Sequence, residues 1–359
     1  MVSVFGLAGF SFCKIEGARQ NVIKSQDARQ DYDIIKIPFA DLETQEPKGR
    51  QTKIRGIVLH APEIPSVFTT ISVLQKRSVG CHYIIPQKTL LQLKQEAKKL
   101  LAQQKSLPES EKLSDVALNA CRVIMAFQGK KNSIPVLQLA LDDMCVYHAG
   151  KGDWKDWLAP GLRMNHSTIG IECANSTTYK TGTHDLFRYS GMQMQVLSAL
   201  LHHLLANHKL SATDVVTHSD ISWDRPDDVY KKDPGPYFPY ETLARNGLGI
   251  VPLAKDFPPL PKDRRNQKDM ISWIQNCFQI IGYRPCPVTG VWNINTAKIL
   301  RAYALHFFPE CPKYTSKGYD FEPLVGSLLH HPWAQYVLTK EENCELSTGT
   351  EQINLDQFI

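Results

Sequence analysis

Four residues carry the types and placement that chemistry needs: His60, Glu172, His218 and Asp233. His60 closes the apolar run Gly56-Ile57-Val58-Leu59, and His218 follows Val215-Val216-Thr217. Glu172 stands near the end of Ser167-Thr168-Ile169-Gly170-Ile171. Asp233 comes 15 positions after His218, stopped by Pro234-Gly235-Pro236, a turn that fixes its backbone. In an α/β sheet, groups at strand ends converge on one rim, where ligands bind. Two imidazoles and one carboxylate make the three-ligand set of a catalytic zinc with one open position. The ion keeps a net charge of about +1 there, enough to acidify a bound water. Glu172 is then the candidate to take the water's proton. Lys231, two residues before Asp233, is the candidate to face an oxyanion, with Lys232 toward water. Taken singly, each residue has a plainer reading: a core or surface histidine, a solvated Lys-Lys-Asp turn, a salt-bridging glutamate. Their order, each at a strand end or a rigid turn, carries the reading.

These groups need a sheet to hold them. Strands are predicted at 54–60, 82–86, 136–141, 146–150, 167–173 and 215–217, the fourth carrying His148. A short helix is expected over 68–75. A longer one over 192–206 lines Val196, Leu197, Leu200, Leu201, Leu204 and Leu205 along one face. Ser190 and Gln193 read as its capping box. The predicted class is α/β, a mixed central β-sheet flanked by helices. Between about 87 and 135 the pattern becomes a lysine-rich helical hairpin inserted between two strands, with Leu90, Leu93, Ala97 and Leu100 at helical spacing. Residues 1–50 read as an N-terminal leader and arm, irregular after an apolar start, and 51–248 as the catalytic domain. The proline-bearing stretch 249–266 reads as a linker. Residues 267–340 read as a small all-α domain and 341–359 as a polar tail.

Composition narrows the class. The 359 residues suffice for two domains, and a net charge of +5 suits weak attraction to an anionic polymer but is far from a nucleic-acid footprint. No run reaches the length of a membrane span. The start MVSVFGLAGFSFC lacks a basic n-region, and anchoring through Cys13 stays open. The nine cysteines show no CxxC spacing, so zinc-ribbon and thioredoxin readings fail. Buried free thiols are expected, with disulfides among the last four if the chain is exported.

The stretches GIVLH, HYIIP, YHAGKGDW, NHSTIGIECAN, VVTHSDI and KKDPGPYFPY, in this order, resemble the zinc-dependent N-acetylmuramoyl-L-alanine amidases. The resemblance is to the type two family, nearest its AmiD branch, which is similar in fold to the peptidoglycan recognition proteins. It implies Zn2+ on His60, His218 and Asp233, with Glu172 and Lys231 catalytic. The implied reaction is hydrolysis of the amide between N-acetylmuramic acid, in intact or 1,6-anhydro form, and L-alanine. It also implies substrate-groove roles for His82, Asn165 and His148, which fit a packing role at the strand ends equally well. Residues 267–340 resemble the helical peptidoglycan-binding module of AmiD proteins. The partners implied are peptidoglycan or muropeptides, with no nucleic acid, and a monomer in the cell envelope, periplasmic or outer-membrane associated. The alternatives are a non-catalytic peptidoglycan-binding protein and a zinc peptidase cutting within the stem peptide. No HExxH is present for the usual route to the latter.

Two departures from the family pattern stand out. About 50 residues separate HYIIP from Val136, and the hairpin there could gate the cleft. The spacing from His218 to Asp233 is longer than usual by several residues, which makes Asp227 and Asp228 rival carboxylates. Neither is followed by the Pro-Gly-Pro turn.

Overall fold

A β-branched or apolar run bounded by prolines and polar turns predicts short buried strands, and the chain folds that way. The structure, a computed structural model, describes residues 32–37, 39, 50, 52–64, 66–158, 161–175, 189–226, 230–235, 237–249 and 266–307, with two-residue ladders at 177–178, 185–186, 314–315 and 318–319. Outside these lie the apolar start with Cys13, the rivals Asp227 and Asp228, nearly all of the expected linker, the polar tail, and Cys311 and Cys344.

Six strands form the main sheet: β1 (Ile34–Lys36), β2 (Gly56–His60), β3 (Tyr83–Ile85), β4 (Val136–Gln138), β5 (Thr168–Cys173) and β6 (Val215–Thr217). Their spatial order is β1-β4-β3-β5-β2-β6. The β3–β4 pair is antiparallel and the other four are parallel, which makes the sheet mixed as expected. β2 and β5, with neighbours on both sides, are buried along their whole length, as the near-continuous apolar runs require.

Side chains alternate between the faces with period two. Ile57, Leu59, Ile169, Ile171 and Val215 face α4 (Gly191–His208), whose Leu197, Leu200, Leu201 and Leu204 complete that core. On the other face, α1 (Val67–Lys76), α2 (Leu90–Gln103) and α3 (Asp115–Ala126) cover Ile35, Ile84 and Leu137. Beside them, Val58 and Val216 join Trp154, Trp157 and the C-terminal helices α7 (Gln267–Ile281) and α8 (Ile294–Phe307) in a third cluster. The hairpin α2–α3 thus spends its apolar stripes, Leu90, Leu93, Ala97, Ala117, Ala120 and Ile124, as a layer of the core. The described cysteines, Cys81, Cys121, Cys145, Cys173, Cys277 and Cys286, are buried and form no disulfide with one another.

Three local expectations are corrected. Residues 146–150 are not a strand. The Oδ1 of Asn165 accepts the backbone N–H groups of His148, Ala149 and Gly150 at 3.2, 2.8 and 3.0 Å, which curls the segment around one amide. The arm is not irregular throughout, because β1 adds an edge strand and buries Tyr32, Ile35, Ile37 and Phe39. The capping box of α4 is half made: Ser190 accepts the N–H of Gln193. Gln193 turns inward and donates to the carbonyls of Ile85 and Ala174 at 3.0 and 2.8 Å.

Candidate active site

The register of the sheet sets the first two groups. His60 on β2 pairs with Glu172 on β5, so both rise from the same face, two residues beyond Val58 and Gly170. β6 delivers His218 as the first residue of the short helix α5 (His218–Ile221). Thr217 and Asp220 cap that helix reciprocally: the Thr217 hydroxyl accepts from the Asp220 N–H, and the Asp220 carboxylate accepts the Thr217 N–H. Asp233 is brought in by its turn. Its carbonyl accepts the N–H of Ser219 at 3.2 Å, next to His218. The tyrosines Tyr189 and Tyr240 donate to the carbonyls of Pro234 and Gly235 at 2.8 and 3.2 Å. Gly235 sits at φ 90°, a region side-chain-bearing residues rarely adopt.

Three potential ligand atoms meet as a result. Nδ1 of His60 lies 3.0 Å from Nδ1 of His218, and Oδ2 of Asp233 lies 3.2 and 3.1 Å from them. The three form a group that could hold a metal ion. A tetrahedral ion with ligands at about 2.0 Å spaces them by roughly 3.3 Å, so the donor set and its spacing fit zinc with little movement. The protonation states fit as well. Burial lowers His218 to about 4, against the pull of Asp233, so its imidazole is neutral near pH 7. Burial alone would raise Asp233, but His218 and His60 beside it hold its carboxyl well below the usual range.

Glu172 is in the opposite condition. Burial pushes its pKa up to about 7, His60 and Lys231 pull it down, and Asp233 pushes it up. Its Oε2 is buried and accepts no hydrogen bond from any described residue. A carboxylate with a free lone pair and a pKa near neutrality can both take and return a proton. Lys231 is exposed, its N–H bonded to the Ser222 hydroxyl at 3.3 Å, whereas Lys232 is half-buried.

The remaining expected residues stand behind these. Nε2 of His60 faces Nδ1 of His148 at 3.0 Å, and Nε2 of His148 faces the Thr168 carbonyl at 3.4 Å. With Nδ1 of His60 directed at the ligand group, Nε2–H donates to His148, and His148 donates in turn to Thr168. Burial holds His148 well below its ordinary pKa, which keeps it neutral for that relay. His148 lies over Gly170, where a Cβ would come within 2.5 Å of the ring. His82 is wholly buried, its Nδ1 accepting from the Gly170 N–H at 3.0 Å and its Nε2 donating to Met144 at 3.1 Å. Asn165 is also buried, its oxygen spent on the 148–150 loop.

Sequence reasoning missed two arginines. The Arg50 guanidinium donates to the carbonyls of Asp142, Met144, Asn165, His166 and Thr168 at 2.9–3.3 Å, tying together the segments around His82 and Asn165. Arg225 donates to the carbonyls of Ala149 and Lys151 and approaches Nε2 of His218 at 3.4 Å. Neither leaves a spacing signal, since each acts on backbone carbonyls far along the chain. An open cavity of about 570 Å³ is lined by Arg50, Lys53, Gln138, Asp142 and His208 and includes none of the four central groups.

A family model described as N-acetylmuramoyl-L-alanine amidase matches residues 50–236, which span His60, Glu172, His218, Lys231 and Asp233. The chain belongs to the N-acetylmuramoyl-L-alanine amidase family. The amidase is 30% identical over 207 residues to N-acetylmuramoyl-L-alanine amidase AmiD of Escherichia coli (strain K12), covering 55% of this chain and 68% of AmiD. Among solved structures it is similar to AmiD from E. coli in complex with the substrate anhydro-N-acetylmuramic acid-L-Ala-D-gamma-Glu-L-Lys, with 19% identity, 84% and 93% of the two chains covered, and a TM-score of 0.48. It is also similar to AmpDh3 from Pseudomonas aeruginosa in complex with anhydromuramic pentapeptide, with 23% identity, 78% and 91% covered, and a TM-score of 0.47. No helix of the described residues is long and apolar enough to cross a membrane.

Proposed function

We propose that the amidase hydrolyses the bond between the lactyl group of N-acetylmuramic acid, intact or 1,6-anhydro, and L-alanine, with a zinc ion held by His60, His218 and Asp233. The convergence of their three ligand atoms within 3.2 Å of one another supports this reading. A zinc ion bound there supplies a Lewis acid for the amide carbonyl and lowers the pKa of water to about 7. The chain's own groups do the proton work. Glu172, ionised above about pH 7, takes the proton of the attacking water on its unpartnered Oε2. It then returns that proton to the nitrogen of the departing L-alanine. The Lys231 ammonium offers positive charge to the carbonyl oxygen as that oxygen becomes negative. Neutral His148 fixes the His60 ring by accepting its Nε2–H. The loop 148–150 is gathered on Asn165, with the Arg50–His82 contact behind it, and is proposed to border the substrate.

We further propose that the enzyme works in the bacterial cell envelope, where such a substrate is found, and that α7 and α8 share in holding wall polymer. The test is product analysis of a purified muropeptide together with metal analysis. Wild type should carry about one zinc per chain and release a stem peptide beginning at L-alanine. His60→Ala and Asp233→Ala should lose both. Cleavage only inside the stem peptide, or full turnover by a metal-free wild type, overturns the proposal.

A further inference from the structure

The C-terminal helices reach the ligand-bearing segments at several points. Asp220, two residues after His218, is a fully buried carboxylate. Its Oδ2 accepts the N–H and the hydroxyl of Thr217 at 3.0 and 2.8 Å. The two other donors come from the C-terminal helical region. Nδ1–H of His306, on α8, donates to Oδ2 at 2.7 Å, and the hydroxyl of Tyr283, just after α7, donates to Oδ1 at 2.9 Å. The same His306 ring stacks on Tyr240 with centroids 4.5 Å apart and planes at 28°. Tyr240 opens α6 (Tyr240–Arg245), and its hydroxyl holds the carbonyl of Gly235, two residues after Asp233. Earlier on α8, the Arg301 guanidinium lies 3.9 Å over the ring of Tyr230, the residue before Lys231. Lys298 donates at 3.3 Å to the carbonyl of Arg225, the residue whose guanidinium approaches His218.

A helical module tethered only for affinity needs none of these contacts. A buried carboxylate stays where its donors hold it, because it has no water to fall back on. Within its own segment Asp220 has only Thr217. Its position, and with it the backbone on both sides of His218, is therefore set jointly by Thr217 and by Tyr283 and His306. Through Tyr240, His306 also sets the turn that presents Asp233. One imidazole on α8 thus touches the supports of two of the three ligand atoms, which lie 3.1 Å apart.

We propose that the C-terminal helical pair is a brace for the metal-ligand segments, with His306 and Tyr283 as positioning residues for His218 and Asp233. This rests on the reading that those residues, with His60, hold zinc. Groups that orient ligands in this way change metal affinity typically by 10–100-fold when removed.

The test uses the full chain with four substitutions. His306→Phe keeps the ring on Tyr240 and removes the donor to Asp220. His306→Asn restores a donor at the same distance from the backbone. Tyr283→Phe removes one hydroxyl and leaves the packing, so it keeps the test valid if His306→Phe fails to fold. His60→Ala controls for the metal reading. The readouts are the zinc dissociation constant by competition with a chromogenic chelator, the visible spectrum of the cobalt(II)-substituted protein, and melting of the chelator-stripped protein. The brace predicts a rise of about tenfold or more in the dissociation constant for His306→Phe. It also predicts a changed cobalt band, a smaller shift of the same sign for Tyr283→Phe, and partial recovery in His306→Asn, which regains the donor to Asp220 but not the ring on Tyr240. Lower melting with an unchanged dissociation constant and cobalt band in His306→Phe and Tyr283→Phe overturns the brace. Wild-type zinc affinity in His60→Ala overturns the metal reading instead.

Discussion

Glu172→Gln should make the metal-free enzyme more stable as pH rises while abolishing turnover. The Glu172 carboxyl is buried and its pKa rises from 4.5 to about 7, chiefly by loss of solvent. The folded state therefore holds this proton more tightly than the unfolded chain does. Stability from this group is complete below about pH 4.5, the unfolded value, and is lost as pH rises through about 7. Ionised Glu172 then costs the fold about 3 kcal/mol relative to its protonated form. The glutamine cannot ionise, so it escapes that cost. Its amide is left short of partners, at about 1–3 kcal/mol, but that loss is the same at every pH. The pH dependence of the difference isolates the charge. Chemical denaturation of both chelator-stripped proteins should show the variant gaining about 2 kcal/mol on wild type between about pH 5 and pH 8. In the zinc-loaded proteins, turnover should fall by about 100-fold or more with the metal retained. A stability difference flat in pH refutes the buried-carboxyl argument, and undiminished turnover refutes Glu172 as the base.

Other outcomes follow from the supports around the site. Arg50→Met leaves five carbonyls short of a donor and should lower stability by about 3 kcal/mol or more, read by denaturant melts. Gly170→Ala drives a methyl into the ring of His148 and should weaken zinc binding by about tenfold, read by chelator competition, as His60 loses its Nε2 partner. Leu93→Ala opens the core under the hairpin and should cost about 2–5 kcal/mol while leaving turnover at 25 °C unchanged, read by denaturant melts and a muropeptide assay. Zinc removal should abolish turnover and leave the far-ultraviolet circular dichroism in place, because the three apolar clusters do not include the ligand side chains.

The sheet class and most strands are legible because β-branched runs between prolines have few alternatives. His60, Glu172 and His218 stand out because each interrupts or ends such a run. Asp233 stands out through its Pro-Gly-Pro turn. What escapes is held together by single side chains acting over long separations. β1 is three residues pairing with a strand about 100 positions later, and Ile34-Ile35-Lys36 alone has no strand-length pattern. The 146–150 segment has strand-like composition, and only Asn165, distant in sequence, curls it. Arg50, Asp220 and His306 work through backbone carbonyls or one buried carboxylate, and no spacing rule announces them. The hairpin's position between two strands is the one feature that suggests gating. Its buried leucines and alanines also make it a core layer, so deleting residues 88–133 would strip that layer.

The longer spacing between His218 and Asp233 could have loosened the ligand pair. The structure holds both ends of the extra segment instead. At the entrance, Arg225 is bonded to the carbonyls of Ala149 and Lys151, and its own carbonyl accepts from Lys298 on α8. At the exit, Tyr230 lies buried under the Arg301 guanidinium, and the Lys231 N–H bonds to the Ser222 hydroxyl. Between fixed ends, added residues cost little: doubling the length of a loop costs only about 0.6 kcal/mol of closure entropy. The ligand atoms of His218 and Asp233 accordingly stay 3.1 Å apart despite the longer path between them. Both anchors lead to α8, so the C-terminal helices and the lengthened ligand spacing are parts of one arrangement. Shortening the loop should therefore leave zinc affinity intact as long as Arg225 and Tyr230 keep their partners. Arg301→Met should weaken zinc binding without touching a ligand. Chelator competition on the two variants checks both expectations, and unchanged affinity in Arg301→Met would show that the exit anchor holds nothing the metal needs.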